Sequence, residues 1–587
     1  MIGIFGVFGA CADLADSELF VDAGHELTER LESNGHHARL LLWRHSGPKF
    51  TNDHAFAKHD GFLTALEGFI LNRTALQARY HAASLAELLR YLHATQGTSM
   101  VQALRGNFAG SVYSEESATL LLFTDQFGNE PLYYSRRDGV LIFSSQLKWI
   151  VEYYRFRHWS PALSISGAYS LLTYGYMYSD LTLLEDVRRL LPGHCVEADL
   201  GTVVTKTYYR IGHSKGRLSR SDISPAEEKQ RLTDLFLSAV ELQARKNVEY
   251  GYEQYAPLSA GLDSRMAVMA LRKLGYESVT TFTYSRTGED DCLTPMAISR
   301  DLGYNWLFRS LDSGDDLLDI ELGTSITEGT HYYIWGAQLD GFMRRIRTDD
   351  LGLVHTGIVG DVVVGTFYSK KRSAVDASPY RLGDGGFSRV LLSRLQDFVG
   401  EPEGLDFEVG MMMNRGLNGA NQGYQSTFRR YGGSASPFMD VALFDFCLSL
   451  PPADRYKHKL YYQWVISHFP EAAKYEHNGV SISGSPRISV AGRSSPIGSL
   501  PSAIRAHWRS ATGLRRGMNP FDYWYDTMPR VRASLDSYYG DHLDVLGATS
   551  RLRADATLLY GGNSAKDKLL VLSLLSAMEY FGLAPHA

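Results

Sequence analysis

An α+β domain followed by an α/β domain is the fold class this sequence predicts, and three observations predict it. The first is length, because 587 residues exceed what one hydrophobic core usually serves. The second is a change of texture near residue 210. Short apolar runs separated by Gly, Asn and Asp give way to apolar runs alternating with helical stretches. The third is the polar, glycine-containing stretch "RIGHSKGRLSRSDISPAEEKQRLTDLF", which reads as a linker ending in a helix start. The expected division is 1–212 and 213–587.

In the first part the expected strands are "IGIFGVF", "ARLLLWR", "GFILNR", "GNFAGSVY", "ATLLLFTD", "PLYYS", "GVLIFSS" and "HCVEADL". A helix is expected at 84–95, "SLAELLRYLHAT", so the domain is mixed rather than all-β. Ser224, Pro225 and Glu227 fill the N-cap, first and third positions of a capping box. Leu232, Leu235, Phe236, Ala239 and Val240 follow at helical spacing. Beyond it, helices alternate with "VTTFTYS", "NWLFRSL" and "GLVHTGIVG". That is the rhythm of a parallel sheet covered by helices, whose ligand sites lie at the carboxyl ends of the strands. After residue 440 the chain reads as mostly helical, with a long polar, glycine-rich segment at 478–502 that suits a mobile loop or a lid.

Composition narrows the function classes. A hydrophobic fraction of 44%, a charged fraction of 21% and a net charge of −6 describe a soluble globular protein with no general pull toward nucleic acid or anionic membrane. Lys370, Lys371 and Arg372 read as a solvated face. Cys11, Cys195, Cys292 and Cys447 are too scattered for a zinc site or a disulfide framework, which suits the reducing cytoplasm, the expected location. The run "LLVLSLL" at 569–575 is too short to cross a bilayer, and the N-terminus lacks the basic head of a signal peptide.

Two motifs carry chemistry. "PLSAGLDSRMAV", residues 257–268, is a turn opening a helix, where unpaired N–H groups and the helix dipole let Ser259, Gly261 and Ser264 close around a phosphate group. Asp263 repels phosphate unless a divalent cation lies between, which suggests Mg²⁺; the plainer reading makes Asp263 an N-cap. "HTGIVGDVVVG", residues 355–365, ends an apolar strand with glycines around Asp361, aimed at the same sheet edge. Asp263 and Asp361 are therefore candidate partners in one Mg²⁺ site, with Asp361 as a simple turn residue the alternative.

These residues resemble the asparagine synthetase superfamily. "SAGLDSR" is similar to its pyrophosphate loop and "TGIVGDVVVG" to its second glycine and aspartate motif. "LLLFTDQFGNEPLYYS", "LLPGHCVEAD" and "ASPFMDVALFDFCLSLPPADRYK" match other family segments in order. The resemblance implies an amidotransferase-like (Ntn) αββα sandwich followed by an ATP-pyrophosphatase (PP-loop) domain. It implies ATP and Mg²⁺ as cofactors, and a carboxylate that becomes an acyl adenylate before an amine displaces AMP. In that reading Ser259, Gly261, Asp263 and Ser264 bind ATP and its pyrophosphate, and Asp263 and Asp361 hold the metal. A lysine early in a following helix completes the family's site, and "RYKHKLYYQWVISHFP" offers Lys457 and Lys459, with Lys459 favoured.

Departures from the family refine the expectation. Glutamine-using relatives carry a cysteine after the initiator methionine, whose α-amino group activates the thiol; here Ile2 stands there. Cys11 is not the terminal amine, and Glu67 precedes Gly68 where the family has an Asn-Gly pair, so glutamine hydrolysis is expected to be absent. Val362 and Ile358 replace acidic residues of asparagine synthetase, and Ile358 also stands where β-lactam synthetase has a Tyr serving proton transfer. The resemblance then leads to the lasso-peptide cyclases, which close a side-chain carboxylate onto a peptide's own α-amine as a macrolactam, aided by high effective molarity. The expected partners are a precursor peptide, a leader peptidase and a leader-recognition protein, with no nucleic acid or membrane. The alternatives are a β-lactam-synthetase-like or ammonia-dependent asparagine-forming enzyme on small substrates, and a catalytically silent binding module. Ala260 and Arg265 depart from the family's loop.

Overall fold

A computed structural model describes residues 2–10, 29–34, 38–212, 218, 222–368, 379–475, 482, 487–490, 493–496 and 519–584. Cys11, Lys370, Lys371, Arg372 and most of 478–502 lie outside the described residues; within that last segment the strands Arg487–Val490 and Arg493–Pro496 pair as a hairpin.

The strands of the first part are β1 (Gly3–Gly9), β2 (Glu29–Asn34), β3 (Arg39–His45), β4 (Ala55–His59), β5 (Phe62–Ile70), β6 (Gly106–Ser114), β7 (Thr119–Thr124), β8 (Tyr133–Arg137), β9 (Val140–Ser144), β10 (Arg188–Arg189), β11 (His194–Ala198) and β12 (Val203–Thr207). They form two antiparallel six-stranded sheets, ordered β10-β8-β9-β1-β3-β2 and β12-β11-β7-β6-β5-β4. Period-two alternation sorts their side chains into layers. Ile4, Phe8, Leu40 and Leu42 meet Leu63, Ala65, Leu120 and Leu122 between the sheets. The alternate residues Phe5, Val7 and Leu41 face outward under α3 (Leu147–Phe156) and α4 (Ile165–Tyr174). Leu66, Val112, Leu121 and Phe123 do the same under α1 (Arg73–Tyr80) and α2 (Leu85–Gln96). In α2, Leu85, Leu88, Leu89 and Leu92 make one apolar stripe. The result is an αββα sandwich.

The second part opens with α5 (Pro225–Glu249), whose N-terminus carries the capping box of Ser224 and Glu227. The strands β13 (Glu253–Pro257), β14 (Val279–Ser285), β15 (Asn305–Ser310), β16 (Leu351–His355) and β17 (Ser434–Ala435) form a parallel sheet ordered β15-β14-β13-β16-β17. The helices α6 (Leu262–Lys273) and α7 (Asp290–Leu302) connect β13 to β14 and β14 to β15. Phe236 and Val240 of α5 pack with Met266 and Leu271 of α6 and with Trp464. Phe282, Leu351 and Val354 are covered from the other face by Leu339 and Phe342 of α9 (Ile334–Met343), which follows α8 (Ile320–Thr327). With β13 and β16 adjacent, the loops leaving their carboxyl ends are neighbours.

The antiparallel sheets end at Thr207, but the core does not divide there. The outward residues of the first sheet, α3 and α4 share one cluster with Phe521, Leu535 and Leu569–Leu575 of the C-terminal helices. A second joint is polar: Asp53, at 0% exposure, accepts from Lys246 of α5 at 3.0 Å, Arg73 at 3.0 Å and Tyr250 at 2.8 Å. No described helix is long and apolar enough to cross a membrane.

Candidate active site

The first motif leaves the end of β13 and turns into α6, with Gly261 as N-cap and Asp263 as the second helical residue. Asp263 therefore does not cap the helix. Ser264 Oγ lies 3.0 Å from Ser259 Oγ and accepts from Ser259 N at 3.1 Å, while Ser259 Oγ accepts from Gly261 N at 3.1 Å. The departure at Arg265 has a structural explanation. Arg265, at 1% exposure, donates to Ala260 O at 2.8 Å and to Ala472 O and Tyr475 O at 2.9 Å. Its guanidinium ties the loop to the chain after the helix Lys459–His468. Burial lowers its pKa to about 10, so it stays charged at neutral pH.

The second motif differs from its sequence reading in one respect: the strand ends at His355, and Asp361 opens a π-helical turn, Asp361–Gly365, beyond it. Val359 just before it has φ 64°, a left-handed conformation costly for a β-branched residue. The turn brings Asp361 N to 2.8 Å from Asp263 Oδ2, while Tyr461 donates to Asp263 Oδ1 at 2.9 Å. Burial, and then the charge of Asp361, hold the Asp263 carboxyl well above the usual range. The glycines make this approach possible. A Cβ on Gly357 would lie 2.2 Å from the Asp263 carbonyl carbon, and one on Gly360 2.8 Å from its Cγ.

Ser259, Gly261, Asp263, Ser264 and Asp361 all line one cavity of about 440 Å³. Ile358, Tyr284, Tyr424 and Phe428 form its apolar side. Lys457 and Lys459 are not among its described lining residues. Lys457 has φ 54° with its Nζ over the Tyr456 ring, and Lys459, the first residue of its helix, lines a separate depression with Pro225 and Asp454. His458, between them, does line the site, with Nδ1 3.1 Å from Asp361 O. Sequence reading missed His458, Tyr461 and Asp291. The last accepts from Ala260 N at 2.9 Å from the start of α7. Nothing in their local patterns marks them, although "SRTGEDD" directly after a strand was a signal for Asp291, since acidic residues there sit at the sheet's ligand edge.

In the sandwich, Ile2 borders a cavity of about 60 Å³ with His54, Glu67, Gly68, Glu130 and Gln146. Gln146 Nε2 donates to Ile2 O at 3.0 Å, and a Cβ on Gly47 would come within 2.3 Å of Ile2 Cδ1. Glu67, 4% exposed, has Arg44 Nε at 3.7 Å and His54 Nε2 at 3.6 Å, and burial holds its carboxyl well above the usual range. His54 is pushed down to about 4 by burial and then by Arg44's charge. The pocket offers no nucleophile at position 2.

The match to a protein family falls on the sandwich. Residues 57–209 match the glutamine amidotransferase domain family. The chain is 25% identical over 263 residues to asparagine synthetase [glutamine-hydrolyzing] 2 of Bacillus subtilis, a match covering 42% of this chain and 34% of that protein. It thus spans about a third of the length of that curated relative. Two solved structures are also similar. A glutamine phosphoribosylpyrophosphate amidotransferase from B. subtilis aligns over 53% of this chain and 91% of its own, at 12% identity and TM-score 0.27. An allosteric regulatory enzyme of purine biosynthesis aligns over 52% of this chain and 80% of its own, at 12% identity and TM-score 0.25. The protein carries an amidotransferase-like αββα sandwich followed by a parallel α/β domain, and over 263 residues it is similar to an asparagine synthetase.

Proposed function

We propose that this protein is an ATP-dependent carbon–nitrogen ligase that activates a carboxylate and joins it to an amine, releasing AMP and pyrophosphate. The observation that carries the reading is the 2.8 Å contact of Asp361 N with Asp263 Oδ2, which sets two carboxylates beside a serine–glycine loop at a helix N-terminus. The Asp361 charge also raises the pKa of the Asp263 carboxyl, and two carboxylates within reach of one another fit a divalent cation, which Asp263 and Asp361 would hold. Mg²⁺ there supplies neutralisation of phosphate charge. The loop's N–H groups and the Ser259 and Ser264 hydroxyls orient the pyrophosphate. The substrate carboxylate oxygen attacks the α-phosphorus and pyrophosphate leaves; the amine nitrogen then attacks the acyl carbon, its proton is lost, and AMP leaves.

Ile2 in place of a nucleophile supports an amine that does not come from glutamine, with the sandwich kept as scaffold. Within this class we favour a lasso-type macrolactam cyclase acting on a precursor peptide, served by a leader peptidase and a leader-recognition protein. Ile358 on the cavity wall beside Tyr284, Tyr424 and Phe428 supports a partly apolar substrate whose amine is already in place.

The test supplies ATP, Mg²⁺ and a core peptide with a free N-terminus and an internal Asp or Glu. AMP is expected in step with a product lighter by one water, and Asp361→Asn is expected to slow its release at least about 10²-fold with an unchanged circular dichroism spectrum. Release of ADP instead overturns the reading.

A further inference from the structure

Asp263 accepts one hydrogen bond on each oxygen, from Asp361 N and from the Tyr461 hydroxyl. A third carboxylate lines the same cavity. Asp291 Oδ1 accepts from Ala260 N at 2.9 Å and lines the cavity, and among the described residues no cation pairs with it. It stands at the start of α7 beside Tyr424, whose hydroxyl feels its charge and faces that of Tyr284. Trp335 packs edge-on against Tyr424 with ring centroids 4.8 Å apart, which fixes the ring. A carboxylate next to a phosphate-binding loop is unfavourable unless a cation answers it, and one beside an aromatic ring suits an organic ammonium, which gains both ion-pair and cation–π energy.

We propose that Asp291 is the seat of the substrate's primary ammonium group, received between this carboxylate and the ring of Tyr424. The proposal rests on the reaction proposed above, which needs an amine beside the activated carboxylate, and it assigns the amine's place. Asp291 acts here as a binding and specificity residue: its bond to Ala260 N places the ammonium at the edge of the loop that would hold the phosphates. An amine that is acylated, and so neutral, loses both interactions.

The experiment measures equilibrium binding of phenylalaninamide and of N-acetylphenylalaninamide to the full chain by calorimetry. These probes differ in the ammonium and carry no carboxylate. The wild-type protein is expected to prefer the free amine at least about tenfold. Asp291→Asn keeps an acceptor for Ala260 N but removes the charge, and is expected to bring the preference to about one, while Asp291→Glu retains a preference. Equal binding of the two probes by the wild type overturns the proposal, as does an unchanged preference in Asp291→Asn. Equal binding alongside AMP release from a peptide overturns only the ammonium seat. A clear preference alongside ADP release overturns the reaction and leaves the seat standing.

Discussion

Arg265 shows how one substitution in a motif is absorbed by its surroundings. The residue is buried, and its guanidinium donates to the carbonyls of Ala260, Ala472 and Tyr475. Arg265→Ala leaves those carbonyls without their donor and opens a void, so a loss of about 3 kcal/mol is expected, read as a lower denaturant midpoint. His355 makes the second prediction at this scale. Its Nε2 lies 2.6 Å from Gln254 Oε1, its buried Nδ1 has no hydrogen-bond partner among the described residues, and burial pushes its pKa down to about 4. The folded pKa lies below the unfolded value near 6.5, so the unfolded chain takes up the proton first as pH falls. The stabilising contribution is whole above about pH 6.5 and declines toward pH 4, by about 3 kcal/mol. His331 and His54 are also pushed down to about 4 by burial and act in the same direction. Comparing denaturant midpoints at pH 7 and pH 5 is expected to show a smaller drop for His355→Gln than for the wild type.

Among the elements, β16 and α6 decide the site together. The chain leaves β16 through Thr356, Gly357 and Ile358, and it passes so close to the start of α6 that position 357 has no room for a side chain. Gly357→Ala would set a Cβ against the backbone of Asp263, where no rotamer change relieves it. The expected result is a shift of the Asp361 turn away from Asp263, a cost of about 1–3 kcal/mol and loss of AMP release. The amide exchange protection of the antiparallel sheets is expected to be unchanged, because β1 to β12 lie outside this contact. A uniform loss of protection throughout the chain would show instead that the glycine is needed for folding as a whole.

For the whole molecule, the shared cluster joining α3 and α4 to the C-terminal helices matters most. Leu569, Leu572 and Phe581 pack with Ile150, Tyr154 and Leu171 across a boundary that composition places near residue 212. The ion pair of Lys246 with Asp53 adds a buried charge on each side, and removing one partner leaves the other uncompensated. A fragment of residues 213–587 is therefore expected to aggregate or to show no cooperative thermal transition, whereas the full chain does. A soluble fragment melting like the intact protein would show that the sandwich is dispensable to its neighbour. This coupling gives a physical reason for a sandwich to persist with Ile2 where a nucleophile would stand: its outer layer shares one core with the C-terminal helices.

Much of this was legible in the chain because it is local. Strand alternation in "GIFGVFG" and "RLLLWRH", the capping box at Ser224 and the turn before α6 are set by neighbours within a few residues, and the structure has them where the sequence reading put them. The convergence of Asp263 and Asp361 was inferable from a resemblance and from the rule that strand ends share a sheet edge. Three things needed the tertiary structure. The π-helical turn at Asp361 is joined by a hydrogen bond to Asp263, 98 residues away in the chain. Which of Lys457, His458 and Lys459 faces the cavity turns on two consecutive left-handed residues, Lys457 at φ 54° and His458 at φ 56°, which rotate the start of the following helix. Asp291 acquires its place only when α7 packs its first turn against the loop at Ala260. Periodicity and propensity report which face of an element is buried. They carry no information on which distant backbone it meets, and the site is built from those meetings.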